Sequence, residues 1–182
     1  MPKTDHRDEE GKAYWRFIES TYKAADIYNG PRAFLASIEA EPRSAVLVYA
    51  AHFAQSEIHN GGLLQFFWNN TGVLAPEAVA GFRIIGMQRV SDALDALIRK
   101  LGTPYPRDRD DRWNALLAAS ERDTESLEAI FQSEQDFYLK FEEATSPLFP
   151  TTLNETIWNL LAKENGGFPE AADRYVRSLK LM

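Results

Sequence analysis

The stretch HNGGLLQFFWNNTG, residues 59–72, decides the fold. An apolar run precedes it: over residues 44–59, Val46, Leu47, Val48, Tyr49, Phe53 and Ile58 cover nearly every side of a helical wheel, the mark of a buried central helix. Asn60-Gly61-Gly62 stops that helix, because Asn and Gly accept the left-handed conformation that a helix C-terminus requires. Positive φ is therefore expected at Asn60 or Gly61. Residues 63–69 then form a short helix with Gln65 and Asn69 on one side and Leu63, Leu64, Phe66, Phe67 and Trp68 on the others. Phe66 and Phe67 read as core, with Gln65 or Asn69 bonded to nearby backbone.

The helical period continues outward in both directions, and no segment alternates at period two. Residues 9–28 put Tyr14, Ile18, Tyr22 and Ala25 on one face, with Trp15 beside them. Asn29-Gly30 ends that helix, and Pro31 opens a short one over 32–40. Pro76-Glu77 begins a long pattern that reaches Leu101, bent or interrupted near Gly86. GTPYPRDRDD, residues 102–111, is the clearest linker. Helices follow over 112–120, 124–144 and 153–164. Asn165-Gly166-Gly167 closes the last of these, and Pro169 begins a terminal helix reaching Leu179. The expected fold is all-α: one globular domain spanning 1–182, with about eight to ten helices around a buried central helix and with residues 1–8 frayed.

Length and composition agree with this. A chain of 182 residues buries about 70% of its unfolded surface. No apolar run approaches the ~20 residues that span a bilayer. The opening MPKTDHRDEEGK reads as neither a signal nor a transit peptide, so the expected location is the cytoplasm. With no cysteine, disulfide and thiolate chemistry are excluded.

Charge is unevenly placed. Residues 1–107 carry 12 acidic and 12 basic side chains and residues 144–182 carry 4 of each, while residues 108–143 carry 11 and 4. That window holds the whole formal charge of −7. It disfavours nucleic acid as a direct partner, which needs clustered Lys and Arg, and it attracts a basic protein. Asp108, Asp110 and Asp111 lie in the linker. Glu121, Glu125, Glu128, Asp136 and Glu143 share one side of the following helix, opposite its apolar side. From 121 to 143 is ~33 Å, close to the ~34 Å turn of B-DNA. A duplex is more densely charged, so imitation would take a dimer or further helices.

No constellation for catalysis stands out. His52 and His59 lie seven residues apart on one helix side, ~10 Å along the axis, too far for one metal ion. Packed or hydrogen-bonded histidines are expected, with no metal and no cofactor. There is no G-x-S-x-G elbow, no S-x-x-K motif and no P-loop lysine. Glu57 and Glu134 fall near the apolar sides of their helices, where burial would raise a carboxylate pKa; a structural role is the expected one.

EIHNGGLLQFFWN at 57–69 resembles the E-x-x-N-G-G-F-x-Q-F-F-x-N signature of a bacterial family of small all-helical proteins whose best-known member is a DNA mimic. Its signature positions here are Glu57, Asn60, Gly61, Gly62, Gln65, Phe66, Phe67 and Asn69, with Leu63 in place of Phe. Pro76-Glu77-Ala78, Ile85-Gly86-Met87 and residues 105–112 resemble further parts of the family, so that the resemblance spans roughly 45–145. It implies an all-α homodimer and, by analogy with that member, an acidic surface that occupies the DNA site of a DNA-binding protein. Two alternatives stand beside it: a protein-interaction module without mimicry, and a hydrolase-type enzyme using Glu57 near the Asn60-Gly61-Gly62 break.

Overall fold

Seven consecutive buried residues, from Ala45 through Ala51, put the helix α3 (Arg43–Trp68) at the centre of the molecule. A helix on a surface buries one stripe; over these residues this one is enclosed on all sides. The computed structural model describes residues 12–120 and 137–179. Around α3 it arranges α1 (Lys12–Ala24), α2 (Gly30–Ser37), α4 (Ala75–Ile84), α5 (Gln88–Lys100), α6 (Arg109–Ala119), α7 (Phe137–Thr145), α8 (Thr151–Lys163) and α9 (Phe168–Leu179). Short 3₁₀ turns, Asn70–Leu74 and Glu164–Gly166, join neighbours. The fold is all-α, and no strand occurs among the described residues. None of the described helices is long and apolar enough to cross a membrane. His6, Glu121, Glu125, Glu128, Glu134, Asp136 and the N-terminal residues 1–8 lie outside the described residues.

The break at Asn60-Gly61-Gly62 is a kink, and the two expected helices are its limbs. Gly61 (φ −149°) and Gly62 (φ 78°) leave helical geometry, and the helical run resumes to Trp68. Positive φ thus falls on Gly62 and not on Asn60 or Gly61. The reason lies on α8: a Cβ on Gly62 would come within 2.9 Å of the Asn154 Oδ1. That oxygen accepts the Leu63 N–H at 2.9 Å, while Asn154 Nδ2 donates to the Phe149 carbonyl at 3.1 Å.

The pattern expected to run from Pro76 to Leu101 is two helices. Gly86 takes φ 79°, the Gly86 N–H donates to Arg83 O, and the Met87 N–H donates to Phe82 O at 2.8 Å. These are the two bonds of a Schellman cap, which satisfy carbonyls left open at the end of α4. α4 lies closely against α3, because Gly81 has no Cβ to collide with the Leu47 carbonyl. On α1, Tyr14 and Ile18 enter the core, whereas Trp15 and Tyr22 stay 41% and 49% exposed. They sit at the edge of the α1–α3 contact, against the rings of His52 and Phe53.

Candidate functional site

Glu57, Gly61, Gln65 and Asn69 are spaced by four, which on a helix makes one stripe. Gly61 lacks a side chain, so the Gln65 amide folds back across it; a Cβ there would collide with Gln65 Oε1. Gln65 Nε2 then donates to Glu57 Oε2 at 2.6 Å, and Asn69 Nδ2 donates to the same oxygen at 2.9 Å. Thr71 Oγ1 donates to Glu57 Oε1 at 3.0 Å. The two amides therefore bind a carboxylate side chain rather than backbone. A partly buried carboxylate is the stronger acceptor and lies on their own stripe.

The cluster continues into the linker through Arg112, which has no exposed surface. Arg112 Nε donates to Phe67 O at 2.6 Å and Nη2 to Asn69 O at 2.8 Å. Its Nη1 donates to Arg107 O at 2.8 Å and to Asp108 O at 3.3 Å. One planar fork thus satisfies carbonyls at the negative end of α3 and ties the linker to them. Gly72 makes room, since a Cβ there would lie 2.5 Å from Arg112 Nε. Burial pulls the guanidinium pKa down, with Tyr105 and Asp108 opposing. Beside it, Arg107 forms a two-pronged pair with buried Glu77 at 2.8 and 2.9 Å. Both Arg112 and Glu77 lie in segments that resemble the family, but the sequence singles out neither as a site residue. The signal for Arg112 was its register, because Arg112, Leu116 and Ser120 are four apart and all buried.

Phe66 and Phe67 are fully buried. Trp68 stacks on Trp113 with centroids 4.2 Å apart, and Arg109 lies over the Trp113 ring at 4.7 Å. Phe141 meets Trp68 edge-on at 4.7 Å. These rings join α3, α6 and α7 and form part of the packing, not an open platform for bases.

Of the acidic residues singled out, Asp108, Asp110, Asp111 and Glu143 are described, and all are exposed. Asp108 caps α6, accepting the Asp110 and Asp111 N–H groups at 2.9 and 3.4 Å. His52 is half-buried, 3.3 Å from the Tyr14 hydroxyl, and burial pushes its pKa down to about 4. His59 faces Gln55 and the Trp158 ring. No group of three or more metal-ligating side chains converges among the described residues. A cleft of about 260 Å³ lies between α2 and the start of α6, and a groove of about 420 Å³ lies between α8 and α5. Glu57 lines neither.

The family model of the DMP19-like protein matches residues 39–177, from just past α2 to near the end of α9. The chain belongs to the DMP19-like protein family. The match includes the whole of kinked α3, the Glu57 cluster and the Arg112 linker, and it extends well past the span of the signature. No curated protein and no solved structure matches the chain.

Proposed function

We propose that this DMP19-like protein is a non-enzymatic acidic protein that binds a basic protein partner on the surface which that partner otherwise gives to DNA. The placement of charge carries the reading. The described residues hold 17 acidic and 16 basic side chains, so nearly all of the formal −7 belongs to the rest. Residues 121–136 alone carry six acids and one base, Arg122. In sequence they are flanked by exposed Asp108, Asp110 and Asp111 on one side and by exposed Glu142 and Glu143 on the other. Such a field steers a basic partner and weakens with salt over a Debye length of ~8 Å. The signature residues leave the surface free for this role, since Gln65, Asn69 and Thr71 all donate to Glu57. A hydrolase built on Glu57 would need a cleft around a carboxylate that already has three donors.

The near-neutral balance of the described residues favours a second reading, in which one acidic segment binds a partner without imitating a duplex. Capture of the partner from host lysate, elution in a salt gradient and competition with duplex DNA separate the two. Both readings expect loss of binding when Glu121, Glu125, Glu128 and Asp136 are reversed to Lys. Only mimicry expects the partner's DNA to displace the chain. Binding that survives the reversal and high salt overturns both.

A further inference from the structure

Several cations of the described surface have an acidic partner, for example Lys23 with Glu19, Arg99 with Asp95 and Arg177 with Asp173, while others such as Arg16 and Lys100 have none within 4 Å among the described residues. Arg89 and Lys163 have none within 4 Å among the described residues, and both are exposed. They line the same concavity, the 420 Å³ groove between α8 and the start of α5. Its one acid, Glu164, is already committed: its two carboxylate oxygens accept the Arg89 and Val90 N–H groups at 2.9 and 3.1 Å. The nearest acid along α5, Asp92, is held by Gln88 at 2.6 Å and Arg83 at 3.7 Å. Thr156 and Asn159 line one wall, donating to carbonyls of their own helix, and half-buried Leu160 adds an apolar surface.

We infer that this groove binds a small organic anion, a carboxylate or a phosphate monoester, whose charged oxygens meet Arg89 and Lys163 and whose apolar body rests on Leu160. In an acidic protein this is a local reversal of sign. Neither cation is tied down, so affinity in the millimolar range is expected. The site is tested on the full chain by titrating benzoate, inorganic phosphate and neutral benzamide while following backbone amide shifts. Benzoate should give saturating shifts centred on Arg89, Leu160 and Lys163, and benzamide should not. R89Q/K163Q should melt like the parent, since it removes no internal contact, and should bind benzoate about fivefold more weakly. No saturation with either anion, or an unchanged titration in R89Q/K163Q, overturns the site. Phosphate binding as tightly as benzoate would overturn the role given to Leu160.

Discussion

Glu57 has no cation within 4 Å among the described residues, and three neutral donors hold its carboxyl group in place. Removing an acceptor from a partly buried site leaves its donors unsatisfied, which costs about 1–3 kcal/mol. Glu57→Gln should cost that much, because its new amide hydrogens face donors. A denaturant series on E57Q, Q65A and the double variant checks this: coupling predicts that the double costs less than the two singles together. Strict additivity would show that the Glu57–Gln65 hydrogen bond contributes no coupling. Arg112 sets a harder test. Lysine keeps the charge but cannot span four carbonyls in one plane, so Arg112→Lys should lose about 3–5 kcal/mol, read from the melting transition. An R112K protein as stable as the parent would mean that the charge alone suffices. The sequence displayed Glu57 through its signature, and Arg112 only as the last residue of the segment 105–112 that resembles the family, one of three arginines there. Only the four-residue step to Leu116 tells which of them turns inward.

At the scale of the element, the kink in α3 and the contact of α1 with α3 follow different rules. Asn-Gly-Gly announces a break, yet which residue takes positive φ depends on Asn154, 92 positions away from Gly62 and invisible to local pattern. The α1–α3 contact carries the pH dependence. His52 packs beside Tyr14, Trp15, Phe53 and Phe168, and burial holds its pKa at about 4 against an ordinary 6.5. The folded state therefore binds fewer protons than the unfolded state between those values. Stability from this group is complete above about pH 6.5 and declines as pH falls toward 4, by on the order of 2–3 kcal/mol. Denaturation midpoints from pH 7 to pH 4 check it: His52→Gln should flatten the curve in that window. A parallel loss in the variant would assign the effect to carboxylates. In the same element, Gly81→Ala should push α4 away from the Leu47 carbonyl and lower the melting temperature, since that backbone atom cannot rotate aside.

For the molecule as a whole, the helical fold was legible because its evidence is local. Period, caps and breakers recur along the chain, and a buried helix shows itself by apolar residues on every side. The surface is harder to read, because net charge says how much and not where. The formal −7 looked like a property of residues 108–143, but the part of that window which is described is studded with Arg109, Arg112 and Lys140. Arg112 is buried, Arg109 lies against Trp113, and the balance shifts toward residues 121–136. Reversing Glu121, Glu125, Glu128 and Asp136 to Lys changes the charge by two units at each position, from −7 to +1. If the chain works by its field, association with a basic partner should fall by at least about tenfold at low salt, chiefly through the on-rate. The parent and the variant should converge as salt rises, because screening removes the difference that charge made. Stopped-flow association at several ionic strengths, with melting curves as a check on folding, provides the measurement. A variant that folds normally and still associates at the parent's rate at low salt would move the contact away from the acidic segment, onto an apolar surface whose affinity does not depend on the sign of the charge.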